Sequence, residues 1–273
     1  MAREIRAHLA LLAVQTALAL ILLTGAALLI RSFVNVYHVD PGFSTENMQT
    51  ARINLPARRY QSESELTGFF GKILERLSVV PGVSATAGVT NLPLSGEGSA
   101  GYISLDDRPA PPPGQTLGAS RQIVSPGYFR AMRIPLIEGW TFTEADRAGA
   151  PHVVIIDRTM ARRFWPEQSP IGRRIKRGTL PAPFPWMTVI GVVSDVKHFS
   201  LTGNPGPTVF LPYLQARRLG GADPTATERT FRHRAFRCAV VPRVGGGSRT
   251  GWTGRKLPPG ETGDVARSHC GPA

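Results

Sequence analysis

The sequence predicts one membrane-spanning helix, then a water-exposed domain of mixed strands and helices, then a basic tail of low order. Three observations carry that expectation. A charge-free apolar run occupies residues 9–30. Alternating strand patterns and short amphipathic helices follow one another between about residues 50 and 213. From Ala216 onward the periodicity stops and Arg, Gly and Pro dominate.

The run LALLAVQTALALILLTGAALLI holds 22 residues without a charge, between Arg3 and Arg6 on one side and Arg31 on the other. At about 1.5 Å per residue a helix of that length spans roughly 33 Å, close to the hydrocarbon thickness of a bilayer. A secretory signal peptide would fit the basic lead, but its apolar core usually runs about 7–15 residues before a small-x-small cleavage site. The expected division is therefore a cytoplasmic lead over 1–8 and a transmembrane helix over 9–30. The positive-inside rule favours a cytoplasmic N-terminus, and Arg31 opposes it. Ala13 and Ala17 stand four apart, and Gln15, Ala19 and Ala26 share a side at helical spacing. Small and amide side chains of this kind suit packing against other membrane helices, because a buried amide needs a hydrogen-bond partner. No second run of comparable length is present in the chain, so such helices would come from other copies or other chains.

The net charge of +13 first suggests a nucleic-acid partner, but its distribution argues against one. Residues 1–215 carry 21 Lys and Arg against 15 Asp and Glu, whereas residues 216–273 carry 11 against 4. Both cysteines, Cys238 and Cys270, also lie in the tail, so neither a disulfide framework nor a thiolate metal site is expected in the main domain. What remains after the helix has room for one ordinary domain or two small subdomains.

Along the chain, Asp40-Pro41-Gly42 marks a turn where the helix gives way to the domain. TARINL (50–55) alternates as a strand closed by Pro56. Ser62 and Glu65 match a capping box. Leu66, Phe69, Phe70, Ile73, Leu74 and Leu77 then form the firmest amphipathic helix, stopped by Pro81-Gly82. Val83, Ala85, Ala87 and Val89 alternate through a second strand, completing a strand–helix–strand unit. A Gly- and Pro-rich region follows, with one short strand near 101–105 and a stiff PAPPP connector. Residues 119–124 predict a strand, and Ser125-Pro126 a cap for a short helix over PGYFRAM. IPLIEGWTFTEAD reads as a turn-rich segment. His152–Ile156 predicts a buried strand, and Asp157 the cap of a helix ended by Trp165-Pro166. Three strands complete the pattern: one to Lys176 after Pro170-Ile171-Gly172, one over Trp186–Val196, and a last one over 207–213.

Candidate chemistry is sparse. His38 stands alone near the end of the helix and reads as an interfacial side chain. Gly96-x-Gly98 lacks the pattern of a phosphate loop. Arg162, Arg163, Arg173, Arg174, Lys176 and Arg177 read as a solvated face, because no stacked aromatics accompany them. Asp195, Lys197 and His198 are the only compact ionisable trio near a strand end, and without a nucleophile or pocket they read as a loop. No catalytic, cofactor or metal site is expected. In the tail, Cys238–Val241 is the only apolar knot, and so polar a segment buries too little surface to offset its ordering entropy. Such a composition is also what a shifted reading frame in a high-GC gene commonly yields.

Taken as an ordered series, residues 9–215 resemble the second half of an ABC-transporter permease of the MacB/FtsX type, in the duplicated form common in acidobacteria. The carrying residues are the apolar helix with RSF, VDPGF (39–43), PGV (81–83), LPLSG (92–96) and SPGYFRAMRIPLIEGWTFT (125–143). They continue with VVIIDRTMARRFWPEQSPIGRRI (153–175), VIGVVSDVKHFSL (189–201) and FLPY (210–213). The resemblance implies an α+β fold: a transmembrane helix followed by a MacB-like periplasmic core domain of two subdomains over 31–215. It implies a single-pass protein of the bacterial inner membrane that transmits ATP-driven motion for export or efflux and is not itself an enzyme. The implied partners are the lipid bilayer, other permease helices or a second permease copy, and a separate ATP-binding cassette ATPase. The family's three later membrane helices are not in this sequence, so a truncated chain is expected, with the frame lost near Gln215. The alternative is a bitopic periplasmic binding or sensor module. An anchored enzyme is the third reading.

Overall fold

The first helix, α1, spans Ala2–Tyr37 and runs past the apolar stretch until Asp40-Pro41-Gly42 stops it. Its portion His8–Tyr37 is long and apolar enough to cross a membrane, and its most apolar window is not buried by any other described residue. Thr16 and Thr24 do not interrupt it, because their hydroxyls donate to the Leu12 and Leu20 carbonyls one turn back. The computed structural model describes residues 1–53, 55, 63–96, 98–109, 112, 115–179, 183–215 and 236–242. The chain divides into two units, Met1–Arg243 and Val244–Ala273, and the second lies outside the described residues.

After α1 come β1 (Gln49–Ile53), α2 (Glu63–Ser78), β2 (Val83–Val89), β3 (Ala100–Leu105), β4 (Leu117–Val124) and α3 (Tyr128–Ala131). They are followed by β5 (Leu136–Gly139), β6 (Val153–Asp157), α4 (Arg158–Phe164), β7 (Arg174–Arg177), β8 (Trp186–Val193), β9 (Thr208–Pro212) and β10 (Phe236–Pro242).

The strands follow one continuous pairing path that has two parts. The first is a three-stranded sheet ordered β1-β10-β2, with β10 antiparallel to both neighbours. β1 and β2 therefore run parallel and are joined through α2, the expected strand–helix–strand unit with a third strand inserted between its strands. The apolar face of α2 (Leu66, Phe69, Phe70, Ile73, Leu74, Leu77) packs with Ile53, Leu55 and Cys238. Ser62, the expected cap, lies outside the described residues.

The second subdomain is a closed ring of six strands. Pairing runs β4-β3-β7-β8-β6-β9, and β9 returns to pair in parallel with β4. One apolar cluster draws residues from all six, including Ile103, Ile123, Ile175, Met187, Ile156 and Leu211. Alternate residues along each strand of a closed ring face inward, and this shared cluster is the ring's interior. Met160 and Phe164 of α4 join the same cluster. β4 belongs to both subdomains: its first half pairs with β3, and Val124 pairs with Val89 of β2.

Several expectations change. The domain boundary at 215 moves, because the knot Cys238–Val241 is the heart of β10, with Cys238, Ala239 and Val241 all buried. Seven strand residues give too short a periodic signal against an Arg- and Gly-rich background, and their partners lie far away in the sequence. The rest of the expected low-order tail, 216–235 and 243–273, lies outside the described residues. Strand β9 is accordingly not the last. Ser125 does not cap α3, which starts at Tyr128. Its hydroxyl accepts instead from the Gly88 N–H of β2, at 2.9 Å. The segment read as turn-rich contains β5, an edge strand on β8 whose four residues are all exposed and so leave no burial pattern to read. Asp157 caps α4 as expected, accepting from Met160 N–H at 2.8 Å.

Candidate functional site at the junction of helix and domain

The chain leaves α1 through a short hook. His38 closes the helix, its N–H and Nδ1 both meeting the Val34 carbonyl. Asp40 Oδ1 accepts from Gly42 N–H at 2.8 Å, which fixes the turn around Pro41. Gly42 adopts φ +81°. A Cβ built on it would stand 2.0 Å from the Asp195 carbonyl oxygen. A glycine is required here both for the left-handed backbone and for the close approach.

Two backbone bonds lock the hook on either side of that contact. Lys197 N–H donates to the Pro41 carbonyl at 3.0 Å, and Ser44 N–H donates to the Met132 carbonyl at 3.0 Å. Phe43, between them, packs on the cluster that contains Val124, Tyr128, Phe129 and Phe210. Met132 ends α3, which packs on β2 of the first subdomain. Asp195 reaches the second subdomain, because its Oδ1 accepts from Thr159 N–H at the start of α4, at 2.6 Å. Displacing the hook thus loads both subdomains through two short helices. Of the four non-glycine residues with positive φ among the described residues, Leu94 and Arg133 border this junction. Leu94 N–H donates to the His198 carbonyl, and Arg133 Nη1 to Ser44 Oγ. Backbone in such regions costs about 1–3 kcal/mol per residue and persists where its surroundings impose it.

The trio Asp195, Lys197 and His198 is therefore one jaw of the clamp, and its side chains diverge. Lys197 Nζ donates to the Gly203 carbonyl. His198 is buried beside Gln122 and Phe210, and burial alone pushes its imidazole down to about 4. Asp157, wholly buried, is pushed up to about 7 by burial, with the nearby Asp195 carboxylate adding to the rise. The two groups act on stability with opposite sign. His198 contributes stability that is complete above about pH 6.5 and lost as pH falls toward 4. Asp157 weakens the fold progressively as pH rises from about 4 to 7. Asp157→Asn keeps an acceptor for Met160 N–H. It is expected to stabilise the chain by an amount that grows over that window and levels off near about 4 kcal/mol above it. Urea unfolding at pH 5 and pH 8 checks this, and an equal effect at both would contradict it.

The basic cluster is only partly a solvated face: Lys176 and Arg177 are half-buried, and aromatic rings that the sequence reading did not expect accompany it. Arg174 pairs with Asp106, and the Arg174, Lys176 and Arg177 cations lie over the Trp186 and Phe184 rings. On α1 the expected packing residues are all exposed and occupy two sides. Ala13 and Ala17 lie on one, and Gln15, Ala19 and Ala26 on the opposite one, at about 100° per residue. No group of three or more metal-ligating side chains occurs among the described residues. A separate open cleft of about 720 Å³ lies between α2, α3 and residues 141–144, with Glu75, Arg130, Glu144 and Tyr213 on its walls.

A three-stranded sheet backed by a helix, joined to a six-stranded ring and hooked directly to α1, defines a core domain carried on a helix long and apolar enough to cross a membrane. The chain belongs to the family of the MacB-like periplasmic core domain, whose model matches residues 13–241. It is 38% identical over 94 residues to a protein of Pseudomonas syringae pv. tomato named a probable syringafactin export ATP-binding/permease protein, SyfD. That match covers 34% of this chain and 13% of the relative. The probable export ATP-binding/permease protein MacB of Pseudomonas entomophila matches with the same identity and coverage. The matches thus take in only a small part of these relatives' length. Among solved structures, the periplasmic region of MacB from Actinobacillus actinomycetemcomitans is similar with TM-score 0.46 and 17% identity, over 78% of this chain and 82% of that one. The extracellular domain of the ABC-type transporter YknZ from Gram-positive bacteria gives TM-score 0.40 at 17% identity, over 71% and 83%.

Proposed function

We propose that this chain is the first membrane helix and periplasmic core domain of an ABC export permease, and that the hook at 39–44 couples the two. The observation that carries the reading is the clamp on Gly42. A helix that shifts or tilts in the bilayer cannot move this backbone without moving residues 194–197 and the end of α3. The chain works as a mechanical element rather than an enzyme, in the inner membrane with its domain in the periplasm. Its driving force comes from a separate ATP-binding cassette ATPase, and α1 packs against other permease helices or a second copy through the small-residue sides described above. The relatives' names support an export role, while the substrate class is left open.

The test is a pair of spin-label readings on the chain co-purified with its neighbouring ATPase, with and without ATP and vanadate: the distance from Tyr37 to Ser200 across the hook, and the distance from Ser169 to labelled lipid head groups. A fixed Tyr37–Ser200 distance with a nucleotide-dependent shift at Ser169 supports coupling. A stable complex in which Ser169 does not shift, or in which the Tyr37–Ser200 distance changes instead, overturns it. The open cleft favours a second reading, a bitopic binding or sensor module, which predicts a ligand-dependent change without any ATPase.

The frame expected to be lost near Gln215 serves the fold further than that, since β10 supplies the middle strand of a sheet. This favours a native reading through Pro242 and any loss beyond it. Translating the nucleotides after codon 242 in all frames tests this: three apolar runs of about 20 residues in another frame would mark a broken permease.

A further inference from the structure

The open cleft of about 720 Å³ gathers charges of both signs from elements far apart in the sequence. Glu75 stands on α2, Arg130 on α3, and Glu144 on the segment after β5. All three are exposed, and none of their side chains makes an ion pair or hydrogen bond among the described residues.

Close contacts tie these walls into one rim. Tyr213 enters from the end of β9, and its hydroxyl stands 3.6 Å from the place of a Cβ on Gly71 of α2. Glu75 lies one turn on from Gly71, on the same face of the helix. Glu144 acts on that same hydroxyl: burial first, and this carboxylate after it, push Tyr213 up to about 12. Two carboxylates thus neighbour one phenol that stays protonated. Thr86 of β2 links α2 to α3. Its hydroxyl donates to the Leu74 carbonyl at 3.3 Å, and its own carbonyl oxygen lies 2.6 Å from the place of a Cβ on Gly127. Arg130 follows three residues later, and Phe129 beside it packs on Phe142, with ring centroids 6.2 Å apart.

Charge and size together select the occupant. An anion would meet two unpaired carboxylates, and a dication would leave Arg130 facing a like charge. A ligand with one ammonium and one carboxylate satisfies both signs, and a guanidinium receives a carboxylate through paired hydrogen bonds. At about 30 Å³ per water the cleft holds roughly two dozen waters, so a molecule of about twenty non-hydrogen atoms fills it. That is within the usual range of small-ligand sites.

We propose that this cleft binds an elongated zwitterion, its ammonium between Glu75 and Glu144 at the Tyr213 hydroxyl, its carboxylate on Arg130, and its uncharged body on Leu74 and Phe142. This gives a ligand class to the binding-module reading and is independent of the hook. Because α2 backs the three-stranded sheet and Tyr213 follows β9 of the ring, the bound ligand ties the two parts together.

Two probes carry the required ends on different bodies: tetra-alanine on a peptide, and 8-aminooctanoate on an alkyl chain. Each is titrated into the full chain in nanodiscs, and the amide signals of Gly71 and Gly127 report occupancy of the cleft. The expected result is saturable binding of at least one probe, weakened about tenfold or more when its ammonium is acetylated or its carboxylate amidated. Arg130→Gln should weaken the free acid and leave the amide unchanged. Glu144→Gln should weaken the free amine and leave the acetylated probe unchanged. No saturable shift at Gly71 and Gly127 with either probe overturns the site, while coupling at the hook, read at Ser169, is untouched. Equal affinity for free and capped probes overturns the zwitterion and leaves a binding cleft standing. Binding that ignores both substitutions overturns the placement of its ends.

Discussion

A chain ended after Gln215 is expected to lose its first subdomain. Strand β10 is the middle strand of β1-β10-β2, pairing with five residues of β1 on one edge and six of β2 on the other. Without it β1 has no strand partner among the described residues, and the strand pairing left to β2 is the Val89–Val124 pair with β4. Cys238, Ala239 and Val241 leave the interior, and α2 loses the floor on which Phe70 packs. Burial of a single Val-sized side chain is worth about 1.5–3 kcal/mol, and the bared ladder groups and the α2 face add to that. The sum approaches the whole stability of an ordinary domain, about 5–15 kcal/mol. The six-stranded ring keeps all its strands and its inner cluster, so the loss should be local. Amide exchange on the full chain and on the 1–215 chain reads the difference. Protection of α2 and β2 should collapse in the short chain, while β6 and β8 remain protected. Equal protection of α2 in both chains would refute the structural role of β10 and restore the boundary at Gln215.

What could be read from the sequence follows the distance over which each element is specified. α2 declares itself because Leu66, Phe69, Phe70, Ile73, Leu74 and Leu77 fall on one face within a few turns. β6 declares itself as a continuous apolar run, and Asp157 as the cap that ends it. β10 and β5 do not. β10 is made a strand by β1 and β2, far back in the chain, and β5 by an edge of β8, so neither carries its reason locally. The closed ring is likewise invisible, since the parallel pairing of β4 with β9 joins two segments that share no pattern. At the junction, Asp40-Pro41-Gly42 is plainly a turn, and Asp195, Lys197 and His198 plainly a loop. That the two grip each other is a tertiary fact. The signal that could have hinted at it is the glycine after a proline at the end of an apolar helix. The notable buried group, His198, sits in a polar loop sequence that gives no warning of an apolar site.

Replacing Gly42 by alanine separates the clamp from a mere turn. Two costs act on that residue. Its φ of +81° places a side chain in the left-handed region, at about 1–2 kcal/mol. Its new Cβ would also stand 2.0 Å from the Asp195 carbonyl oxygen, a distance no packed structure tolerates, so the hook or the 194–197 loop must give way. Gly82 provides the control, because its φ is +87° but nothing lies within 4 Å of the added atom. Gly82→Ala should cost the backbone term alone. Gly42→Ala should cost that term and the contact, about 3–4 kcal/mol altogether, in the range reserved for strain at special backbone sites. The excess has a specific signature, since relief of the clash must break the bond from Lys197 N–H to Pro41. Fast amide exchange at Lys197, with β8 still protected, would show an opened clamp on an intact ring. In the complex with the ATPase, the same variant should abolish the nucleotide-dependent shift at Ser169 and let the Tyr37–Ser200 distance change instead, even where the chain stays folded. If Gly42→Ala costs no more than Gly82→Ala and leaves Lys197 protected, the hook is not gripped and motion of α1 has no rigid path into the domain.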